Sequence, residues 1–568
     1  MLERIKTIGR KEPIVGLVLS LALLAVVLGV GFYLLPLNDR WRLLAAVPGP
    51  IRRTGRIMIR LARDLPYLSY QFKDHNLPVY DLRVDRDDWA RLESNIPDAN
   101  ENLLTDEYKV PVPVTLRYDG QEYEGKIRYR GGSKVHWLWP KKSYRINFKK
   151  SQLFRGEEEI DLIIPYDRQY VVEQFQMYRA RKLGLTAPNT RFVVVTVDGR
   201  RPAVYWEAEL PGASMLERQG LSGDANFYVG EDLETGSLYD SVTPWKKATS
   251  DVRFAADDRS DLAALLDLLN TADDKEFSQR IFSLLDKENF YNWSTHALLA
   301  KSNHQDWAHN MRLYFQPSLG KFLILPWDVG VLYNYQYVSG YELFEQSWNR
   351  LSNRILTNPV FMQERNQRLW EYVRDEKNIQ DDLSEYDKLF ADVRVPLYQD
   401  RIRRFDNAYV DREAARFRQV LADQFYFLRD LFVNAELQAS ALPESPKVLR
   451  VTLETKSLSP LALERIEVIG AKVRNTLDQP LCFGSGMKND CEPLVINPRI
   501  ESVRVPEPAD AIRADEKDFV GYENVFQPTT LMVEFESASD LKRAMSITFY
   551  LRNLSTGLEL THTVPLAL

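Results

Sequence analysis

The hydrophobic pattern of the chain begins with one long apolar segment near the N-terminus. Ile14–Leu35 contains 22 residues without a charge and lies between Pro13 and Pro36. A helix of that length spans about 30 Å, which matches the hydrocarbon core of a bilayer. Because the apolar part of a cleaved signal peptide is usually shorter, the pattern predicts a single uncleaved transmembrane helix that contacts membrane lipid.

Beyond residue 75 the pattern predicts mixed α and β structure. Short strands are predicted over 78–86, 109–130, 143–149, 312–314 and 322–325. A hairpin is predicted where Asp198-Gly199 joins Arg191–Val197 to Ala203–Leu210. Helical spacing occurs over Val171–Leu183, 258–303 and 360–436.

The pattern changes again near Pro443–Pro446. Extended apolar–polar alternation after this point predicts a separate antiparallel β-sandwich. Cys482 and Cys491 lie in one of its loops. They form either a disulfide, which would favour an oxidising compartment, or two free thiols, and the sequence leaves both alternatives open.

Composition excludes several classes of protein. The chain has 568 residues, of which 45% are hydrophobic and 27% charged, and this excludes disordered, collagen-like and multi-pass membrane proteins. A chain of this length is expected to form two or three domains. With 74 basic and 80 acidic residues the net charge is -6, so we expect no nucleic-acid partner. Two cysteines are too few for a disulfide framework or a multi-cysteine metal site.

Three segments carry candidate chemistry, and the first is Arg128–Phe148. Gly131 and Gly132 form a turn after one predicted strand, and the next strand is predicted to begin at Lys141-Lys142. Glycine lets a backbone approach an anion closely, and lysine pairs with phosphate oxygens. The segment is therefore either a phosphate site or an ordinary hairpin.

The second segment, Asn303–Tyr314, is predicted as a loop between a helix and a strand. Asp306 can accept a proton from a hydroxyl nucleophile, and Asn310, four residues later, can bind a metal. His304 and His309 suggest zinc, but no third ligand pattern accompanies them, which favours structural histidines.

The third segment, Phe322–Gly330, is an apolar strand with Asp328 at its end. A carboxylate held rigidly beside phosphate suits Mg²⁺. An aspartate at a strand end is also a common turn or cap residue, and the segment alone leaves both interpretations open.

The order of these parts is that of a protein-kinase-like phosphoryl-transfer site: glycine turn, lysine strand, helix, Asp-x-x-x-Asn loop and Asp-x-Gly. The chain resembles the spore-coat protein H (CotH) kinases, a family of atypical kinases. The resemblance covers roughly residues 75–435 and rests on RGGS at 130–133, KKSYRINF at 141–148, RKLGLTAP at 181–188, VYWEAE at 204–209, FY at 227–228, HQDWAHNMRLY at 304–314 and LPWDVG at 325–330.

This resemblance implies a role for each matching residue. Asp306 is the implied catalytic aspartate, and Asp328 and Asn310 are the implied ligands of Mg²⁺ or Mn²⁺. Lys142 or its neighbour Lys141 is implied to meet the phosphates of ATP. The further implied nucleotide-site residues are Arg130 and Ser133 on the phosphate-side loop and Glu209 in a strand pair, with Glu173 as a candidate partner of the lysine.

The predicted fold class is α+β, in four parts. These are an N-terminal tail with the transmembrane helix (1–36), a basic juxtamembrane segment (37–75), an atypical protein-kinase-like domain (76–440) and a C-terminal β-sandwich (441–568).

The predicted function is metal-dependent transfer of the γ-phosphoryl group of ATP to Ser or Thr of a protein, by a membrane-anchored kinase. Two alternatives stay open: another nucleotide-dependent transfer, such as adenylylation or glutamylation, and a pseudokinase scaffold that binds an envelope component. Basic residues flank the predicted span on both sides, so the orientation rule does not decide the membrane side. A single N-terminal anchor favours an inner-membrane protein with its soluble part in the periplasm, whereas the supply of ATP favours the cytoplasm.

Overall fold

The structure is a computed structural model that describes residues 63–98, 101, 103–231, 238–302, 304–330, 349–476, 494–496 and 529–566. Its α-helices are α1 (Arg86–Ser94), α2 (Val172–Lys182), α3 (Ala213–Arg218), α4 (Ser260–Thr271), α5 (Asp274–Leu284), α6 (Lys287–Ala300), α7 (Arg350–Leu356), α8 (Pro359–Val373), α9 (Glu376–Gln399), α10 (Asn407–Val433) and α11 (Ala538–Arg543). Short 3₁₀ helices occur at Leu65–Phe72, Asp106–Tyr108 and Lys134–His136.

The strands are β1 (Val79–Arg83), β2 (Val112–Tyr118), β3 (Gln121–Tyr129), β4 (Tyr144–Phe148), β5 (Glu159–Ile163), β6 (Thr190–Val197), β7 (Arg200–Glu209), β8 (Phe227–Gly230), β9 (Trp245–Thr249), β10 (Met311–Gln316), β11 (Lys321–Ile324), β12 (Glu436–Ser445), β13 (Val448–Lys456), β14 (Leu461–Ile469), β15 (Val473–Thr476), β16 (Leu494–Ile496), β17 (Thr529–Phe535), β18 (Ser546–Asn553) and β19 (Glu559–Pro565).

These elements fall into two compact units. The smaller unit contains residues 1–72 and 406–408, and its described part includes the 3₁₀ helix Leu65–Phe72. The larger unit contains residues 73–405 and 409–568, and the strands named above lie in it. The predicted domain boundaries near residues 36, 75 and 440 stay a prediction.

Seven strands of the larger unit form a closed barrel in the order β1-β2-β3-β4-β5-β7-β6, completed by parallel pairing of β1 with β6. Two of its hairpins turn on two-residue loops with positive φ at both positions, Asp119-Gly120 and Asp198-Gly199. Such turns match the twist of paired strands and favour Asp-Gly, so the predicted hairpin at Asp198-Gly199 is confirmed. Alternate side chains fill the interior, among them Leu82, Val114, Ile127, Ile146 and Leu162.

The connection from β3 to β4 differs from the prediction. The chain forms the 3₁₀ helix Lys134–His136 after β3, and β4 begins only beyond Lys141-Lys142. Gly131 has a φ of +85°, and a Cβ atom there would lie 2.1 Å from Cδ2 of His136. The glycine therefore makes room for the buried histidine ring. The prediction of a strand starting at the two lysines was wrong, because the connection is a wide excursion and not a tight hairpin.

A second sheet, with strand order β11-β10-β8-β9, carries the segments of interest. It packs with helices around a core that includes Trp245, Trp293, Leu313 and Phe322. The loop from α6 to β10 contains Asp306, and the segment after β11 contains Asp328. Because β10 and β11 are antiparallel neighbours, the start of β10 and the end of β11 lie side by side at the same end of the strand pair. This brings the two segments together.

The C-terminal part contains two four-stranded antiparallel sheets, with strand orders β12-β13-β17-β15 and β16-β14-β18-β19. Both contribute side chains to one apolar core, which includes Leu449, Val451, Leu463, Val533 and Phe549. This is a sandwich arrangement. Cys482 and Cys491, for which the sequence left a disulfide open, lie outside the described residues.

The predicted fold class requires correction at its membrane helix. Within the described ranges, no helix is long and apolar enough to cross a bilayer, and the predicted span Ile14–Leu35 lies outside them. The prediction rested on the apolar length of one segment alone. The description that replaces it is a seven-stranded barrel and several four-stranded sheets with helices. The single-pass inner-membrane location, with a periplasmic soluble part, depended on that helix and is corrected with it.

Candidate active site

The loop between α6 and β10 holds the Asp306 carboxylate by one of its two oxygens. Oδ1 accepts hydrogen bonds from the backbone N–H of Ala308 at 2.8 Å, the backbone N–H of His309 at 3.0 Å and Nδ1 of His309 at 2.9 Å. Oδ2 accepts none from the described residues. The residue is only 5% exposed. The carboxylate is therefore fixed in orientation while one oxygen stays available to accept a proton.

His309 supports the negative charge of Asp306. Burial lowers the pKa of His309, but its hydrogen bond to Asp306 and the charge of that carboxylate outweigh burial, and the pKa is raised. A protonated imidazole in this position stabilises the ionised carboxylate. The pair therefore fixes the Asp306 carboxylate against a histidine whose cationic form it favours.

Asp328 follows β11 in a segment held from two sides. Its Oδ1 forms an ion pair with Nη1 of Arg168, and its Oδ2 lies 3.4 Å from Nδ1 of His304. The next backbone N–H, of Val329, donates to Oε1 of Glu173 on α2 at 3.2 Å. Asp328 has a φ of +55°, a backbone conformation that Asp tolerates better than most residues. The carboxylate is thus aimed by its own backbone and by three neighbouring groups.

His304 joins Asn310 to Asp328. The Asn310 amide nitrogen donates to the backbone oxygen of His304 at 3.1 Å and lies 3.2 Å from its Nδ1. The rings of His304 and His309 meet edge to face with centroids 4.7 Å apart. Burial lowers the pKa of His304 to about 3, so this ring is neutral. Asp306, Asn310 and Asp328 therefore belong to one cluster, linked by two histidines.

Arg168 completes the cluster on the side of the barrel. Its guanidinium contacts Asp328 and Asp167, the latter at 3.1 Å, and lies 5.7 and 5.9 Å from the rings of Trp206 and Trp327. Sequence reasoning missed this residue. It lies in the turn after β5, and no motif or periodicity distinguishes it from a surface arginine.

Arg130 and Ser133 lie in the connection that follows β3. Nε of Arg130 donates to Oδ2 of Asp161 at 3.1 Å. Ser133 precedes the 3₁₀ helix Lys134–His136 and forms an isolated bridge with Leu103. Arg130 is therefore close to the charged groups around the cluster, whereas Ser133 is exposed.

The two lysines contact other parts of the protein. Nζ of Lys141 donates to the backbone oxygen of Val204 and to the carboxylate of Asp400, and the residue is 5% exposed. Nζ of Lys142 donates to the backbone oxygen of Trp139 at 2.9 Å. Burial lowers the pKa of both lysines. Neither contacts Asp306 or Asp328 among the described residues, and their implied role at the nucleotide stays a prediction.

Glu209, at the end of β7, also has its own partners. Oε2 accepts from the backbone N–H of Asn189 at 2.7 Å, and Oε1 forms an ion pair with Arg218. Burial raises its pKa. No contact among the described residues joins Glu209 to the Asp306–Asp328 cluster, so its implied role also stays a prediction.

The donor set fits a hard divalent cation in part. Asp328 offers a carboxylate and Asn310 an amide oxygen, and Mg²⁺ commonly takes one or two protein oxygens together with phosphate and water. No group of three or more His, Cys, Asp or Glu residues in the described part of the chain is arranged to hold a metal by itself. The residues therefore suit a cation that arrives with a phosphate ligand, and not a self-sufficient metal centre.

Comparison with known proteins assigns this site to a family. The profile of the family described as CotH kinase protein matches residues 127–420, just over half of the chain and the whole of the cluster. The chain belongs to this family. It is similar to the inner spore coat protein H of Bacillus subtilis (strain 168), with 26% identity over 297 residues, which cover 50% of this chain and 78% of the relative.

Proposed function

We propose that the chain is a nucleotide-dependent phosphotransferase that moves the γ-phosphoryl group of ATP to a Ser or Thr hydroxyl of a protein. Family membership supports a CotH-like kinase. The observation that carries the proposal is the Asp306 carboxylate, which is held through Oδ1 and open at Oδ2 in the same cluster as Asp328. A base and a phosphate-side acid in one cluster suit phosphoryl transfer.

In the proposed reaction, Asp306 acts as the base that orients the acceptor. Its Oδ2 takes the hydroxyl proton while the hydroxyl oxygen forms a bond to the γ-phosphorus. The bond between that phosphorus and the oxygen bridging to the β-phosphate breaks, and its electron pair leaves with ADP. The imidazole of His309 and the backbone N–H groups of Ala308 and His309 keep the carboxylate in place before transfer.

Asp328 and Asn310 are the residues that would hold Mg²⁺ or Mn²⁺. Such a cation, when bound, neutralises the charge of the phosphates. Arg168 pairs with Asp328 in the described structure and orients this carboxylate. The proposal therefore gives Arg168 a positioning role, through Asp328.

A nucleotide-binding scaffold without transfer activity is the second candidate. One observation favours it: Lys141 and Lys142, the residues implied to meet the phosphates, are bonded to other parts of the chain. A scaffold of this kind would bind ATP and a partner protein but modify nothing.

The experiment that tests the proposal combines ATP, Mg²⁺ or Mn²⁺ and dephosphorylated casein with the purified chain, and analyses both proteins by mass spectrometry. The proposed function predicts addition of a phosphoryl group, which Asp306→Asn abolishes while ATP binding is retained. Asp423→Asn is the matched control, because this exposed aspartate of α10 accepts from Gln419 and from no other described residue. Addition of AMP or glutamate would show adenylylation or glutamylation in place of phosphorylation. ATP binding without any addition would favour the scaffold. Transfer undiminished in Asp306→Asn would contradict the role of the base.

A further inference from the structure

Arg312, on β10, is a buried cation with no acid of its own. It is 5% exposed, and its guanidinium carbon lies 3.6 Å from the ring centroid of Trp327. Nε and Nη1 are buried and make no hydrogen bond with any described residue. Within the described ranges no carboxylate lies at ion-pair distance from it. A buried charge without a partner opposes folding, and an anionic ligand would offset this cost.

The acid with the largest effect on the charge of Arg312 is already paired with two other arginines. Asp161 is the acid that acts on the charge of Arg312, together with the arginines at 130, 145 and 168. The Oδ1 of Asp161 accepts from Nε of Arg145 at 2.7 Å, and its Oδ2 accepts from Arg130 and Arg145 at 3.1 and 3.0 Å. Asp161 therefore neutralises other cations. Arg312 also acts on the charge of Glu173, whose Oε2 is buried without a hydrogen bond, but no ion pair joins these two residues within the described part of the chain.

The outer face of the barrel supplies these arginines. Arg145 on β4 pairs in register with Asp161 on β5, and both alternate with interior residues such as Ile146 and Leu162. They therefore face away from the barrel core, toward the region that contains Arg312. A buried guanidinium with unpartnered donors, lying near other arginines between a barrel face and a second sheet, is an arrangement that favours an anionic ligand.

We propose that Arg312 is the anion-binding residue of this site, and that its ligand is the oxyanion of a polyphosphate. The stack on Trp327 fixes the plane of the guanidinium, so that its N–H edges can donate in pairs to phosphate oxygens. Trp327 is also the residue directly before Asp328, which places the anion site beside the candidate metal ligand. The inference rests on the proposed function only for the identity of the polyphosphate as a nucleotide tail.

The proposal changes which residues are expected to hold the phosphates. The sequence pointed to Lys141 and Lys142, but Lys141 is paired with Asp400 and Lys142 with a backbone oxygen. Arg312 differs from both lysines, because two of its buried donors have no partner among the described residues. The phosphates are therefore bound by a guanidinium fixed on a tryptophan, and not by the lysines of the barrel connection.

The test is calorimetric titration of the full chain with inorganic tripolyphosphate, ATP and adenosine in the presence of EDTA. Arg312→Met removes the charge and keeps a long side chain, Arg312→Lys keeps the charge and removes the fork, and Arg416→Gln removes an exposed arginine of α10 as a control. Two charge-assisted hydrogen bonds predict that Arg312→Met weakens both polyphosphates at least about tenfold. Adenosine should be unaffected, and Arg312→Lys should lie between Arg312→Met and the wild type. The tighter of the two polyphosphates identifies the source of the ligand.

A stability measurement separates a ligand-binding arginine from a structural one. Without ligand, Arg312→Met should melt at the same or a higher temperature than the wild type, because an unpaired buried charge has been removed. A lower melting temperature together with unchanged polyphosphate binding would overturn the inference. Polyphosphate binding that depends on Arg312 without any phosphoryl transfer would support the anion site and refute the proposed function. Transfer from ATP that persists in Arg312→Met, with unchanged affinity for polyphosphate, would support the proposed function and refute the anion site.

Discussion

Glu173 provides a direct test of how the candidate site is built. The side chain lies on the first turn of α2 and is 1% exposed. Its Oε1 accepts from the backbone N–H of Val329 at 3.2 Å, whereas its Oε2 is buried without a hydrogen bond. Burial raises the pKa of Glu173 from 4.5 to about 7, although the charge of Arg168 opposes the rise. The carboxyl group of Glu173, which contacts the residue after Asp328, is therefore protonated over much of the acid range.

The sign of the effect follows from the pKa in the two states. An unfolded chain ionises Glu173 near pH 4.5, and the folded protein ionises it near pH 7. The contribution of this group to stability is therefore complete below the unfolded pKa and is lost as the pH rises through the folded pKa. The upward shift corresponds to about 3 kcal/mol in the free energy of unfolding.

The assay is urea unfolding, followed by tryptophan fluorescence, at several values between about pH 5 and pH 8. Glu173→Gln is neutral at every pH and keeps an acceptor for the N–H of Val329. The free energy of unfolding of this variant should rise relative to the wild type as the pH increases, by about 2.5 kcal/mol between pH 5 and pH 8. Other titrating groups are common to both proteins, so the difference isolates Glu173.

Glu371→Gln is the matched control, because Glu371 is an exposed carboxylate of α8 whose partners, Arg368 and Gln367, are residues of the same helix. Its difference from the wild type should stay nearly constant with pH, since exposed pairs contribute little. Parallel stability curves for Glu173→Gln and the wild type would refute the reasoning, because they would mean that Glu173 is ionised in the folded protein throughout.

Two further predictions concern the barrel. Lys141→Met should lower the free energy of unfolding by about 3–5 kcal/mol, since it leaves Asp400 buried without its cation. Lys142→Met should cost less, because that ammonium contacts a backbone oxygen and the ring of Tyr129 and leaves no buried carboxylate unpaired. Loss of ATP binding without loss of stability in Lys141→Met would show that Lys141 serves the nucleotide instead. Gly125→Ala should cost about 1–3 kcal/mol, because its Cβ would lie 2.5 Å from the backbone oxygen of Asn147 across β3 and β4. A thermal unfolding curve unchanged by Gly125→Ala would contradict the described register of these strands.

The long periodic segments were predictable from the sequence, because local pattern and tertiary packing agree there. Val171–Leu183 was predicted as a helix and the structure has α2 at Val172–Lys182. The helical spacing over 360–436 corresponds to α8, α9 and α10. In these segments one apolar face is buried along the whole element, so the hydrophobic pattern records the fold directly.

The connection between β3 and β4 was not predictable in the same way. Lys141 is buried because Asp400, 259 residues later, lies beside it, and no local pattern contains that partner. A lysine followed by a lysine reads as an exposed strand start, whereas the folded protein desolvates the first of them. The membrane helix was inferred from apolar length alone, and the described residues contain no helix of that kind.

In the candidate site, the acidic residues could be predicted from local sequence, whereas Arg168 and Arg312 could not. The segments with Asp306, Asn310 and Asp328 were found because each is a short motif, and Asn310 and Asp328 take left-handed backbone conformations with φ of 64° and 55°. Asn and Asp are the residues that tolerate this conformation, and non-glycine residues held in it cluster at functional sites. The local sequence therefore encodes the direction of the acids.

No local sequence pattern predicts Arg168 or Arg312. Arg168 comes from a turn after the barrel strand β5, and Arg312 comes from the second sheet, where the sequence around it reads only as a buried strand. Their charges act on each other because the barrel and the second sheet present them to the same region. An arginine in an apolar strand is costly unless a partner is supplied, and Asp161 already serves two others. The burial of Arg312 beside Trp327, with two of its donors left without partners among the described residues, is thus a property of the topology, and it is the physical reason to expect an anion beside Asp328.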